Sequence, residues 1–376
     1  MNWKVPFFDL VFGDDEKKAA ISVIESNWLT AGPRVKEFET AFSSVVGWSS
    51  DSVAVSSATA GLHLSLHALD IGPGDEVILP SLTFVACANA VRYVGAIPVF
   101  ADINNEFDWN MSVTDAKAKI TPRTRAIMVV HFAGHPCDMD AFTSLCQENG
   151  LVLVEDCSHA HLGSWKGRPV GTFGETGCFS FYSNKNMTTG EGGMVVARDQ
   201  RLVERMRMLR SHGISTSTYR RFKGHDYAYD VVELGYSYRM DEIRAAIGLV
   251  QLGKLRGFNM ERKARDERYR ALISTHLPAV QIPFPHENSE SSFHIFPVLL
   301  PGNGEDRNEV LQAMGARGIQ CSIHYRPIHT FSAYQGVNAD VPVTDGIAGS
   351  ILTLPLFPSL TDGQMDMVVD ALRECL

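Results

Sequence analysis

The sequence predicts an α/β fold: a mostly parallel central sheet covered by helices, with a small C-terminal α+β domain. Three observations predict it. From about residue 53 to 197, short runs of β-branched and aliphatic residues alternate with helix-patterned stretches, as in strands buried on both faces. A long helical pattern then runs from Met240 to Leu277. Beyond about residue 260, strands and helices mix without that strict alternation. With 376 residues, 45% of them hydrophobic, the chain can bury a large core and a smaller second one.

In chain order, "GDDEKKAAISVIESNWL" has acidic residues at its start and apolar residues at helical spacing, so it reads as a first helix. "TAGPR" breaks it, and "VKEFETAFSSVVG" is a second amphipathic helix. "VAVSSATAGLHLSLHALDI" reads as strand, small polar turn and helix. "EVILPSLTFVACANAVRYVG", "IPVFADI", "AIMVVHFAG", "DAFTSLCQENG" and "LVLVEDC" continue the alternation, and "CFSFYS" and "GGMVVARD" add two strands. From "RLVERMRMLRSHG" onward the chain is expected to be helical, and the Met240–Leu277 helix to link two domains, 1–255 (large, opened by the N-terminal helices) and 256–376. In the second, "SSFHIFPVLL" reads as a strand, and "EDRNEVLQAMGARG" and "TDGQMDMVVDALREC" as helices.

A net charge of −9 argues against broad nucleic-acid or anionic-membrane binding, which require basic surface. No apolar run is long enough to span a bilayer, and the N-terminus lacks a signal-peptide core. Seven scattered cysteines form no CxxC pair, so no metal site is expected and the thiols read as reduced, in a cytoplasmic protein.

In parallel α/β sheets, ligands collect at the C-terminal ends of the strands. "LVLVEDC" delivers Asp156 there, either as a helix N-cap or as a carboxylate for a protonated heterocyclic nitrogen, with His159 three residues on. Lys185 follows "CFSFYSN" and precedes "TTGEGG", whose glycines permit close backbone approach. A solvated loop lysine is the plainer reading, and neither GxxxxGK[ST] nor GxGxxG is present to support a nucleotide loop. Ser57, Ala58, Thr59 and Ala60 open a helix after a strand, either as an ordinary N-cap or as a phosphate site. Phe84 lies just past another strand, placed for core packing or for stacking on a planar ring. Together, a lone lysine, a carboxylate for a ring nitrogen, a phosphate-binding helix start and a stacking aromatic are what pyridoxal 5′-phosphate (PLP) requires.

Several long blocks in the same order carry a resemblance over nearly the whole chain: "SNWLTAGPRVKEFETAF", "SSATAGLHLSLHALDIGPGDEVILPSLTFVACANAV", "VEDCSHAHLGSWKGRPVGTFG", "FSFYSNKNMTTGEGGMVV", "LGYSYRMDEIRAAIGLVQL" and "HYRPIH". The sequence resembles the DegT/DnrJ/StrS family of PLP-dependent sugar aminotransferases, of fold type I. The resemblance implies that Lys185 is the Schiff-base lysine and Asp156 the pyridinium partner. It places His159 near the phenolic oxygen, Phe84 on the ring, and Ala58, Thr59 and Ser180 at the phosphate. The family's "GYNYRM" segment reaches into the neighbouring subunit's site; here Ser237 replaces its Asn, and Arg239 remains to meet an anion. His324 and His329 fall on the substrate side. The implied reaction moves an amino group from an amino acid, L-glutamate by family, to the ketone of a nucleotide-linked deoxysugar, in a homodimer with shared sites. The rival readings are a sugar 3-dehydratase, which has His in place of the lysine or pairs its site with an iron–sulfur cluster, and a non-catalytic regulatory member.

Overall fold

The structure is a computed structural model, and it describes residues 3–48, 51–215, 229–284, 289–302 and 307–376. Seven strands form the central sheet: β1 (Val53–Val55), β2 (Glu76–Pro80), β3 (Ile97–Ala101), β4 (Thr124–Val130), β5 (Val152–Asp156), β6 (Thr176–Ser180) and β7 (Gly193–Ala197). Their spatial order is β1-β7-β6-β5-β4-β2-β3. Pairing is parallel from β6 across to β3, while β7 is antiparallel to both its neighbours. The strands are buried almost throughout because helices cover both faces, which is why they read as continuous apolar runs. This is the mostly parallel α/β sheet expected of fold type I.

Helices α1 (Asp14–Glu25), α2 (Pro33–Val45) and α3 (Ala58–Ala68) form where their sequence patterns place them. α2 starts with Pro at N1, where the missing N–H is harmless. Its Phe38 and Phe42 pack against Phe179 and Phe181 at the end of the sheet that carries the site. The long helix spans Glu242–His276 and serves two cores. Ala245, Leu252 and Leu255 join the Phe38–Phe179 cluster, whereas Tyr269 and Ile273 join a second one. That second core includes the antiparallel pair β8 (Phe296–Leu299) and β9 (Ile351–Leu354), helices Arg307–Ala316 and Asp362–Cys375, and Val5 from the N-terminal arm. Residues 305 and 306 of the helix expected in "EDRNEVLQAMGARG" lie outside the described residues.

Two expectations are corrected. Helix after residue 200 stops at Leu209; residues 210–215 and 229–241 instead form turns and isolated bridges, Ser211 to Ser237 and Ile214 to Val231. Gly213, at φ 67°, allows this: a Cβ there would stand 1.7 Å from the Glu233 carbonyl oxygen. Residues 216–228 of that stretch lie outside the described residues. The strand read in "SSFHIFPVLL" begins only at Phe296, because Phe293 takes a left-handed φ of 51° and Ser292 and His294 donate their N–H groups to Gly134 and Ala133. His294 is thereby turned toward the site.

Gly193 shows how tightly β7 and α3 are joined. A Cβ there would lie 2.6 Å from Ala58 N and from the Ser57 carbonyl carbon, both backbone atoms that cannot move aside. Gly193→Ala is therefore expected to destabilise the fold by about 1–3 kcal/mol and to weaken cofactor retention by shifting the start of α3. Thermal unfolding and dialysis against buffer would check both; an unchanged melting temperature would refute the close contact.

Candidate active site

The C-terminal ends of the strands enclose a cavity of about 300 Å³. Ala58, Thr59, Phe84, Asp156, His159, Ser180, Lys185 and His324 all line it, so eight of the eleven candidate residues meet in one place. Each arrives by a simple local device. Asp156 is the last residue of β5 and is nearly buried, at 6% exposed. Its Oδ1 accepts the Ser158 N–H at 2.9 Å and its Oδ2 accepts the Cys87 thiol at 3.0 Å, which holds the carboxylate still. Ser57 caps α3, its Oγ accepting from Ala60 N at 3.1 Å. The first N–H groups of α3 have no partner within the helix and stand at its positive end. Ser180 ends β6 beside them.

Lys185 sits in the turn after β6, its backbone N–H bonded to Tyr182 O at 2.9 Å. The residue keeps some surface open to the cavity, but its amine is enclosed, and burial lowers its pKa from 10.5 to about 8, opposed in part by the Asp156 charge. A lysine held near neutrality is a usable nucleophile and base. The shift also bears on stability. Below about pH 8 the folded protein carries a buried ammonium, and that penalty is relieved as pH rises from about 8 toward 10.5. In the cofactor-free protein, Lys185→Met is thus expected to stabilise the fold by roughly 3 kcal/mol at pH 7, with the gain shrinking above pH 8. Melting curves across pH 7 to 10 test this, and a pH-independent difference would contradict it.

His159 and His324 are both kept neutral by burial, His324 with its pKa down at about 3, and nearby Lys185 acts in the same direction. Tyr325 OH lies 2.9 Å from His159 Nε2, while His159 Nδ1 is buried with no hydrogen-bond partner among the described residues. Phe84 is 56% exposed at the mouth, tilted against Tyr325 at 6.0 Å between ring centres.

Three candidates stand elsewhere in this chain. His329 is held by Ser81 Oγ at 2.7 Å and Asp345 Oδ1 at 3.1 Å, outside the cavity lining. Ser237 is exposed and accepts from Arg239 at 3.2 Å. Their segment extends the outer edge of β1 through a bridge from Arg239 to Val55, and Arg239 lines a separate cavity of about 590 Å³ with Lys36 and Arg207. Sequence reasoning missed Cys87, Tyr325 and His294, the last with Nε2 3.5 Å from Lys185 Nζ. Tyr325 had a signal, lying inside "HYRPIH". Cys87 and His294 sat in runs that read as ordinary core.

The donor set fits PLP. A carboxylate faces the cavity for a ring N–H, a helix start with two hydroxyls suits a phosphate, an exposed aromatic can cover a ring, and the orphaned His159 Nδ1 awaits a polar atom. A cavity with a lysine, a strand-end carboxylate and a helix start on this sheet defines a PLP-dependent enzyme of fold type I. The family model of the DegT/DnrJ/EryC1/StrS aminotransferases matches residues 11–373. The chain belongs to that family and is a PLP-dependent aminotransferase. It is 37% identical, over 99% of its length and 97% of the relative's, to the spore coat polysaccharide biosynthesis protein SpsC of Bacillus subtilis. Among solved structures it is similar to the aminotransferase TlmJ from Streptoalloteichus hindustanus, with 35% identity, TM-score 0.91, and 99% and 98% of the two chains covered. It is also similar to the PLP form of Spr1654 from Streptococcus pneumoniae, with 28% identity, TM-score 0.92, and 99% and 98% covered.

Proposed function

We propose that the enzyme transfers an amino group from L-glutamate to the keto group of a nucleotide-linked deoxysugar, supplying amino sugars for a cell-envelope polysaccharide or a natural product. The observation that carries this reading is the enclosed Lys185 amine in one cavity with Asp156 and the start of α3. PLP supplies an aldehyde that bonds covalently to amines and a ring that takes up an electron pair. Lys185 would hold the cofactor through that aldehyde, and its free amine is placed to move a proton at the substrate carbon. Asp156 would pair with the ring N–H, Ala58, Thr59 and Ser180 would hold the phosphate, Phe84 would cover the ring, and His159 would meet the phenolic oxygen. His324, on the cavity lining, would face the acceptor; His329, outside that lining, is assigned to the substrate side by family position alone.

We take the assembly to be a homodimer in which Ser237 and Arg239 serve the partner's site. Tyr182 beside the cavity mouth, and Tyr229, Val231, Val232 and Leu234 in the segment before Ser237, are all about half exposed or more, which supports an apolar face covered by a second copy. Sedimentation at a single monomer mass would refute it. Division into domains 1–255 and 256–376 is supported by the two cores that share the long helix, although Val5 crosses from the first into the second. The five buried thiols, Cys87 on Asp156 among them, suit the cytoplasm, where they stay reduced. No helix among the described residues is long and apolar enough to cross a membrane.

The decisive experiment loads the enzyme with L-glutamate, so that the visible absorbance of the lysine-linked cofactor is lost, then adds 3-keto and 4-keto nucleotide sugars. Recovery of the absorbance with one acceptor supports the reading and identifies its ketone. Loading with no recovery from any nucleotide sugar overturns the proposed acceptor, and failure to load overturns the donor.

A further inference from the structure

His294 is a polar neighbour of Lys185 that no role above uses. His294 is 2% exposed, and its Nε2 stands 3.5 Å from Lys185 Nζ, the long end of a hydrogen bond and a common spacing before ligands are in place. Which ring nitrogen carries the proton follows from its neighbours. Two backbone carbonyls, which only accept, set the chain. Asn259 Nδ2 donates to His161 O at 2.8 Å, so Asn259 Oδ1 faces Asn186. Asn186 Nδ2 donates to Ser292 O at 2.6 Å and to that Oδ1 at 2.8 Å. Asn186 Oδ1 is therefore left to accept, and His294 Nδ1, at 2.9 Å, must donate to it. Burial, together with Lys185, His159, Arg262 and His324 around the ring, disfavours a second proton. Nε2 is left bare and aimed at the lysine.

We propose that His294 is a positioning residue for Lys185: its bare Nε2 accepts an N–H of the amine and sets where the amine stands whenever it is free, with Asn186 and Asn259 holding the required tautomer. The proposal deepens the reading of Lys185 given above and rests on it. A neutral acceptor orients the amine without adding a competing charge, and the partner is supplied from the chain that leads into the second core, 109 residues away in sequence. The other charged or titratable groups around the lysine among the described residues are Asp156, His159, Tyr182, Glu191, His324 and Tyr325 in the cavity, His161, and Asp9 and Arg262 behind it.

The tests use the full chain. In long-range proton–nitrogen NMR of histidine-labelled protein, the resonance lost in His294→Gln should show a neutral ring protonated at Nδ1 at pH 7. Protonation at Nε2, or a charged ring, overturns the proposal. In the cofactor-free protein the titration midpoint of Lys185, followed by carbon NMR of labelled lysine, should fall by about one pH unit in His294→Leu, since an acceptor that favours the ammonium is gone. His294→Gln, which offers an amide oxygen, should restore it. Asn186→Leu keeps the imidazole but frees it to carry its proton on Nε2, and should produce the same fall, so it decides the matter if His294→Leu does not fold. For both variants kcat should drop about tenfold with KM nearly unchanged; an unmoved midpoint in a folded variant refutes the role. Borohydride reduction of the wild-type holoenzyme separates this from the parent reading: cofactor found on a lysine other than Lys185 overturns that reading, while the tautomer and midpoint results still stand or fall on their own.

Discussion

Replacing Lys185 with alanine is expected to reduce turnover by at least about a thousandfold, leaving a folded protein that still binds the cofactor without a covalent bond. Among the described residues lining the cavity, the amine is the one group able both to hold an aldehyde and, once free, to move a proton, and its pKa of about 8 keeps an appreciable neutral fraction near physiological pH. We assign the rest of the cofactor's grip to other elements. The start of α3, Ser180 at the end of β6 and Asp156 at the end of β5 do not depend on the lysine for their positions. Binding and turnover should therefore separate. Dialysis-resistant cofactor content and a single-turnover assay with L-glutamate measure the two. Near-normal turnover in the variant would mean that another base and another amine do the work, and the site assignment would fail.

Asp156→Asn is expected to lower kcat by roughly a hundred- to a thousandfold with a smaller effect on cofactor affinity. The substitution keeps the side chain's shape and still offers an oxygen to the Ser158 N–H. It removes the negative charge that would hold a proton on the ring nitrogen, and with it the ring's capacity to accept electrons. The carboxylate is already immobilised by Ser158 on one oxygen and the Cys87 thiol on the other, so little is lost in bringing it to its partner. Burial and the adjacent Asp156 charge push the Cys87 thiol up, so it stays a neutral donor. Steady-state kinetics together with the cofactor's absorption spectrum across pH would check this. A variant with unchanged kcat would show that the ring proton is held by something else.

Much of this site was legible in one dimension because fold and chemistry share a rule. A parallel sheet presents the C-terminal ends of its strands to one side, so residues just after strand-like runs are brought together whatever their separation in sequence. Asp156, Phe84, Lys185 and the Ser57–Thr59 turn each follow such a run, and all reach the same cavity. His159 came with Asp156, and Ser180 with Lys185. The residues that escaped notice lie on other kinds of element. Cys87 is inside a helix start whose apolar spacing gives no sign that one thiol meets a carboxylate 69 positions away. His329 shares a motif with His324 but not the cavity lining, because the chain turns between them and holds His329 on Ser81 and Asp345.

By itself the amino-acid sequence determined the alternation of buried strands and helices, the lysine and carboxylate at strand ends, and the capped start of α3. These are local matters, set by hydrophobic period, cap chemistry and the direction of a strand. Only the tertiary structure decided which side chains support them. The reversal of β7, the left-handed turn at Phe293 that swings His294 to Lys185, and the Tyr325 hydroxyl on His159 all depend on long-range packing. So does the proton on His294, which is settled by two carbonyls, from Ser292 and His161, that pattern and propensity do not connect. The reason is physical: propensity acts over a few residues, whereas a buried polar atom must find its partner wherever the folded chain brings one.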